Sequence, residues 1–187
     1  GVRHPLSEYR YRHMARKVVG VGSVGTRAWI ILLTGRDDED PLLLQAKEAQ
    51  ASVLERFLGA SEYENHGERV VRGQRAMQAS TDIFLGWQRM TGIDGQERDF
   101  CLRQLHDWKG SIDPEVMTAK GAELYARICG ETLARAHARS GDRVEIAAYL
   151  GGGDVFDIAI ADFADGYAEQ NDEDFAAFVA AVESGRL

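Results

Sequence analysis

The sequence has little of what membrane, exported or nucleic-acid-binding proteins need. Its longest apolar run, residues 28–33, is far shorter than the roughly 20 apolar residues that span a bilayer, so we predict no membrane segment. No early segment combines a basic start, an apolar stretch and a cleavage site, and we therefore expect a cytoplasmic location. The chain has 22 Lys and Arg against 30 Asp and Glu, a net charge of -8. This balance repels nucleic acid, so we predict no nucleic-acid partner.

Cysteine is also scarce. Cys101 and Cys129 are the only two cysteines; they are far apart in sequence and have no metal-ligand spacing. We therefore expect reduced thiols and no metal site built from them. A locally basic stretch, residues 10–17, is interpreted mainly as a solvated helix face, because the global charge is negative.

The sequence does have two regions with different hydrophobic periodicity. Up to about residue 105, short β-branched and aromatic runs between turns predict strands, and after residue 113 helical spacing dominates. The predicted strands are a β-branched run from residue 18, then residues 28–34, 42–47, 83–90 and 100–105. The predicted helices are residues 7–17, 52–58, 67–79, 113–139, 155–170 and 172–184.

This order of elements predicts an α+β fold, a small antiparallel sheet with a helix followed by an all-helical part. We divide the chain into an N-terminal helix or linker (1–17), a sheet lobe (18–110) and a helical part (111–187). The sheet lobe is predicted to be like the N-terminal lobe of a protein kinase, and the helical part like the C-terminal lobe, because of the two motifs described next.

The first motif is the glycine pattern Gly20-x-Gly22-x-x-Gly25. Glycines let backbone N–H groups approach phosphate oxygens closely. In a dinucleotide-binding fold the last glycine opens a helix, whereas here residues 28–34 predict a strand. A glycine loop between antiparallel strands is how protein kinases cover ATP phosphates, which places Ser23 at the loop tip. The alternative is a tight hairpin corner that binds nothing.

The second motif is Lys47 at the end of the third strand, where kinases place the lysine that pairs with ATP phosphates. Strand alternation points the next residue, Glu48, to the other face of the sheet. In kinases the partner carboxylate comes from the following helix. Glu68 is the best-placed candidate, with Glu55 as a rival and Gln74 as a neutral substitute. The alternative is an exposed lysine at a strand end.

The adenine side of the site departs from the kinase pattern. Gln45, two residues before the lysine, stands where kinases carry a small residue against the base, and this leaves the identity of the base open. Gln104 and Leu105 are the candidate hinge residues that complete the nucleotide site.

The catalytic half of a kinase is not recognisable. Such an enzyme needs an aspartate and an asparagine in its catalytic loop and a second aspartate for Mg²⁺. Asp142 follows a helix like the one that precedes this loop in antibiotic-phosphorylating kinases, but Ala147 stands where the asparagine belongs. Asp162-Phe163-Ala164 resembles the metal-binding segment but has helical surroundings. We therefore leave the catalytic residues unassigned and predict no metal ligand.

Several segments together closely resemble the bacterial domain of unknown function 2252 family, over nearly the whole chain. They are residues 18–27, 45–49, 65–67, 70–75, 80–87, 133–142 and 162–171. Full-length members look like aminoglycoside-phosphotransferase-type kinases in circularly permuted order, with the catalytic segments before the glycine loop. The resemblance implies that this chain is a C-terminal portion. It also implies ATP with Mg²⁺ as cofactor, and a nucleotide and the N-terminal portion of the same protein as partners.

Two functions remain open. The chain is either the nucleotide-binding portion of an ATP-dependent phosphotransferase of uncharacterised substrate, inactive by itself, or a non-catalytic, pseudokinase-like binding or regulatory module. The missing Asp-x-x-x-x-Asn loop favours the second for this chain taken alone. The motif resemblance favours the first for the protein from which it comes.

Overall fold

Among the described residues, five antiparallel strands form a single sheet, with two helices between the third and fourth strands and three helices after the fifth. The structure is a computed structural model that describes residues 5–92, 94–106, 110 and 112–186. The strands are β1 (Arg10–Arg16), β2 (Ala28–Thr34), β3 (Pro41–Ala49), β4 (Gly86–Thr91) and β5 (Glu97–Gln104). The helices are α1 (Glu55–Leu58), α2 (His66–Met77), α3 (Ala119–Ser140), α4 (Arg143–Leu150) and α5 (Val155–Glu183). The predicted α+β class is confirmed.

The strand order in the sheet is β1-β2-β3-β5-β4, with every neighbouring pair antiparallel. The connection from β3 to β4 carries α1 and α2, so that β5 rather than β4 pairs with the central strand β3. Residues directly opposite each other on neighbouring strands point to the same face. The register therefore assigns each side chain of the sheet to one of two faces.

The helix face is the one that α2 covers. Asn65 and His66, at the start of α2, donate hydrogen bonds to the Asp99 carboxylate on β5. Farther along α2, the guanidinium groups of Arg72 and Arg75 lie over the ring of Trp87 on β4. The opposite side of the sheet is the outer face. One end of it is filled by Leu42, Leu44 and Phe84, with Leu6, Tyr9, Ile31 and Leu33 packed against them.

Helix α2 begins where the sequence provides a cap. The Asn65 side chain accepts a hydrogen bond from the Glu68 N–H, which satisfies one of the free donors of the first turn. Val71 in the middle of the helix is fully buried. Gly67 lies against the sheet so closely that an added Cβ would collide with the backbone carbonyl of Phe100. The absence of a side chain at this position therefore sets how closely α2 packs on β5.

The helix predicted for residues 7–17 is wrong. Pro5–Glu8 form a short 3-10 turn, and β1 follows as an edge strand that pairs only with β2. The apolar run of β2 needs a partner on this side, and this pairing outweighs the local preference of β1. Charged residues suit an exposed edge strand because they discourage further pairing, and Arg12 there donates to Thr34 and Asp38.

Several predicted boundaries also shift. The β-branched run from residue 18 is part of a loop and not a strand, and β4 begins at Gly86 instead of residue 83. The predicted helix at 52–58 is reduced to the four residues of α1. Asp113 does cap a turn that begins with Pro114, but this is a 3-10 turn, and α3 starts only at Ala119. The two predicted C-terminal helices are the single helix α5.

The chain separates by compactness into two units, Gly1–Ser140 with the sheet and α1–α3, and Gly141–Leu187 with α4 and α5. The predicted division into 1–17, 18–110 and 111–187 stays a prediction, and its second boundary adjoins residues outside the described part. Among the described residues, no helix combines the length and hydropathy needed to cross a bilayer.

The close packing of α2 predicts opposite effects for two glycine substitutions in the same helix. Gly67→Ala should destabilise the protein by about 1–3 kcal/mol, because the new methyl group collides with the backbone of the paired strand β5 and not with a flexible side chain. Gly73→Ala is the matched control, since a Cβ there has no neighbour within 4 Å, and it should stabilise by about 0.5–1 kcal/mol. Urea denaturation followed by circular dichroism measures both. Equal effects of the two substitutions would contradict the described packing.

Candidate functional site

The glycine segment forms the loop between β1 and β2, as the kinase-like reading predicted. Residues 28–34 are the strand β2, which rules out a helix directly after the last glycine, as a dinucleotide-binding fold requires. Gly25 has φ of +83°, a conformation that favours glycine, and an added Cβ at Gly20, Gly22 or Gly25 would meet no atom within 4 Å. The space around the loop is therefore open.

The loop backbone is folded on itself. The N–H groups of Ser23, Val24 and Thr26 donate to the carbonyls of Gly20, Val21 and Ser23 at 2.9, 3.1 and 3.1 Å. Val18, Val21 and Val24 are exposed, so the large side chains of the loop are not part of a core. A phosphate group that used the N–H groups of Ser23, Val24 and Thr26 would have to replace these internal bonds.

Lys47 lies on β3 at the sheet end from which the glycine loop emerges. Its cross-strand neighbours are Ala28, which directly follows the loop, and Cys101 on β5. The register places Lys47 on the helix face of the sheet together with Gln45, and its side chain is half-buried. Burial raises the pKa of the Cys101 thiol, which therefore stays neutral at neutral pH. Among the described residues, no carboxylate forms an ion pair with the Lys47 ammonium.

The predicted carboxylate partners are engaged elsewhere. Glu68 accepts hydrogen bonds from Arg72 one turn later in α2, at 3.2 and 3.1 Å. Glu55 accepts from the N–H of Ser52 at 3.2 Å. Glu48 does point to the opposite face, where it pairs with Arg27 and Arg98. The structure therefore brings Lys47 and the glycine loop together, but it does not join either carboxylate to the lysine.

The candidate hinge residues have their backbone donors occupied. The Gln104 N–H donates to the Asp82 carboxylate at 2.5 Å, and the Leu105 N–H donates to the Leu43 carbonyl at 2.8 Å. Gln45 on the neighbouring strand is almost fully buried, and its side-chain oxygen accepts from Arg103 at 3.3 Å. A base at this edge would not receive hydrogen bonds from the two N–H groups in their present arrangement.

The two aspartates that the sequence left unassigned as catalytic residues, Asp142 and Asp162, lie at the start of α4 and within α5. The Asp142 carboxylate caps α4 by accepting from the N–H groups of Val144 and Glu145 at 2.8 and 3.1 Å. Asp162 lies in the interior of α5 and is exposed. In the part of the chain that the structure describes, no group of three or more His, Cys, Asp or Glu side chains is arranged to hold a metal ion.

Sequence reasoning missed a buried carboxylate at the start of α2. Asp99 is 6% exposed and accepts hydrogen bonds from Asn65 Nδ2, the His66 N–H and the Arg89 guanidinium, at 2.9, 2.8 and 2.7 Å. The Arg89 hydrogen bond, together with the donation from His66, holds the pKa of Asp99 below its ordinary value. The capping pattern of Asn65 followed by Glu68 is visible in the sequence, but its link to a strand residue 34 positions later is not.

This carboxylate borders a polar cavity of about 440 Å³, which is lined by Glu48, Ala49, Gln50, Ala51, His66, Arg89, Glu97, Arg98 and Asp99. His66 Nδ1 is buried there, has no hydrogen-bond partner among the described residues and lies 4.0 Å from Glu55 Oε1. Because the oxygens of Asp99 are already saturated by donors, its evident task is to fix the start of α2 on the sheet, not to exchange protons.

A comparison with protein families identifies one match. The model of a family described as "Uncharacterized protein conserved in bacteria (DUF2252)" matches residues 1–181. No curated protein and no solved structure matches the chain. The comparisons therefore provide a family, but they provide no reaction and no ligand.

The buried carboxylate predicts a specific stability defect. Asp99→Asn should destabilise the protein by about 1–3 kcal/mol, because an amide cannot accept all the donors that converge on the two carboxylate oxygens. The control is Asp38→Asn, which alters an ion pair with Arg12 at a side chain that is 87% exposed and should leave stability unchanged. Chemical denaturation at pH 7 measures both.

The lowered pKa of Asp99 adds a pH signature. A depressed pKa in the folded state contributes stability that is present above the unfolded value of about 3.9 and is lost as pH falls through the folded value. The difference in unfolding free energy between wild type and Asp99→Asn should therefore shrink as pH is lowered from about 5 to 3. A difference that is independent of pH would show that the charge of Asp99 is not what stabilises the fold.

Proposed function

We propose a nucleotide-binding role for this chain, which belongs to DUF2252, a family of uncharacterised proteins conserved in bacteria. In this proposal it is the phosphate-binding portion of a kinase-like phosphotransferase that uses ATP with Mg²⁺. The observation that carries the proposal is the position of Lys47 on β3, directly beside the strand that leaves the glycine loop. In protein kinases the phosphate-binding lysine is likewise on the third strand, beneath the glycine-rich loop.

The electrostatic surroundings of Lys47 support a phosphate ligand. Lys47 is half-buried on the helix face, its neighbour Cys101 is neutral, and Glu68 is paired with Arg72 instead. An ammonium group that is partly withdrawn from water and lacks a counter-ion gains from a bound anion. The open space around the three glycines allows an anionic ligand to approach the loop backbone.

The catalytic groups are proposed to come from the N-terminal portion of the same protein. The exposed apolar side chains of α5 support a covering partner of this kind: Phe163, Tyr167 and Phe175 are among many large apolar residues of this helix that face solvent. Helices whose apolar residues are exposed in this number normally pack against another surface. On the basis of the family resemblance, we propose that the missing aspartates lie in that N-terminal portion.

The alternative is a non-catalytic binding module, and three contacts favour it. Glu68 is held by Arg72, and the N–H groups of Gln104 and Leu105 are used within the chain. An active kinase needs the lysine–glutamate pair in place. If these contacts persist when the whole protein is assembled, the site binds nucleotide without transferring phosphate.

The lysine assignment predicts a selective loss of nucleotide binding. Lys47→Ala should weaken ATP binding by the whole protein at least about tenfold, because it removes a charge-assisted contact, and should barely change the melting temperature. Lys120→Ala on α3 is the control of equal charge and should leave both unchanged. For this chain alone, titration calorimetry should give a dissociation constant no better than about 1 mM, or about 4 kcal/mol of binding free energy. Equal ATP affinity of wild type and Lys47→Ala would refute the kinase-like role of this lysine.

Phosphate transfer separates the two functions. With labelled ATP and Mg²⁺, this chain alone should label no component of a bacterial extract, whereas the whole protein should label its acceptor if it is a phosphotransferase. The binding-module alternative predicts ATP binding without labelling in both cases. Transfer by this chain alone that is lost in Asp142→Asn would instead identify Asp142 as catalytic and not as a helix cap.

A further inference from the structure

A second cavity, of about 530 Å³, lies on the outer face of the sheet, opposite the face that carries Lys47. Its floor consists of Trp29, Ile31, Ala46 and Phe100 from the three central strands, and Met14 and Met90 flank it from the two edge strands. Phe84 and its neighbours pack against the other end of the outer face, so the cavity lies at the end that this cluster does not fill. Its volume is in the range of pockets that bind small organic ligands.

Two arginines at the rim are neutralised by acidic residues. Arg27 pairs with Glu48 at 3.1 Å and with Asp94 at 3.3 Å, and Arg98 pairs with Asp94 at 2.6 Å. The Arg98 hydrogen bond holds the pKa of Asp94 far below its ordinary value, so this carboxylate is charged at neutral pH. These four side chains together carry no net charge and are occupied with one another.

Arg16 is different. It lines the cavity from β1, directly opposite Trp29 across the strand pair, and is exposed. In the part of the chain that is described, it makes no ion pair and no side-chain hydrogen bond. The cavity therefore combines an apolar, partly aromatic floor with one uncompensated positive charge at its edge.

We propose that this cavity binds a small organic monocarboxylate with an aromatic body. The rings of Trp29 and Phe100 offer faces and edges on which a ligand ring can pack, and the unbranched methionines adapt to its outline. The Arg16 guanidinium matches the two oxygens of a single carboxylate. The site is independent of the proposed nucleotide site, because cross-strand register assigns Ala46 and Lys47 to opposite faces.

The probe for this site is 2-naphthoate, with the uncharged 2-naphthalenemethanol as its matched control. Titrated into the whole protein and followed by calorimetry, naphthoate should saturate one site with a dissociation constant in the range of about 10–500 μM. The alcohol should bind at least about tenfold more weakly, because it forms no charge-assisted pair with the guanidinium.

Three variants test the residues. Arg16→Gln should reduce naphthoate affinity about tenfold and leave the alcohol unaffected, whereas Arg36→Gln, at an exposed turn away from the cavity, should change neither. Trp29→Leu should weaken both ligands, because both need the ring. The melting temperature of each variant shows whether it is folded. If Trp29→Leu does not fold, Arg16→Gln still tests the proposal, because Arg16 lies on an exposed edge strand.

The proposal is overturned by any of three results. One is the absence of saturable naphthoate binding up to about 5 mM. Another is equal affinity for the acid and the alcohol, which would mean that apolar surface alone attracts the ring. The third is full naphthoate affinity in Arg16→Gln, which would place the ligand elsewhere, for example on the exposed apolar residues of α5.

Discussion

The alternation of side chains along β3 is the constraint on which both candidate sites depend. This strand lies between β2 and β5, so its backbone is paired on both sides and its side chains cannot change face without breaking two ladders. One face of β3 carries Gln45 and Lys47, and the other carries Ala46 and Glu48. Two neighbouring residues thereby serve two unrelated surfaces, a charged position under a helix and the apolar floor of a cavity.

The helix face depends in turn on the docking of α2. The Asp99 carboxylate gathers donors from the start of α2 and from β4, and Gly67 allows the helix backbone to approach β5. Asn65 and Gly67 thus have structural roles in docking α2 on the sheet, and these roles involve no ligand. Their appearance among the segments that resemble the family is explained by packing, whereas an added Cβ at the glycines of the β1–β2 loop would meet no described atom within 4 Å.

The sequence predicts those parts of the fold that local pattern controls. The strands β2 and β3 and the helix α2 are recovered within a few residues because apolar periodicity and a cap mark them. The strand β1 is missed, because the charged residues of this segment indicate a solvated helix when they are considered alone. Its strand conformation depends on pairing with β2, which the local sequence does not reveal. The position of Lys47 follows from counting along a strand. The pairing of Glu68 with Arg72 does not, because sequence spacing alone leaves open which cation this carboxylate meets.

The length of α5 restricts what is able to cover it. Its 29 residues make a rod about 43 Å long, and its exposed aromatic residues extend from Phe156 to Phe178. A surface that shields such a rod has to be elongated as well, since a single pocket would reach only one or two turns. Because such a surface would contact many turns at once, shielding of α5 would be cooperative along the helix. If a separate molecule provides the surface, the fraction of chains with a shielded α5 would rise with the concentration of that molecule.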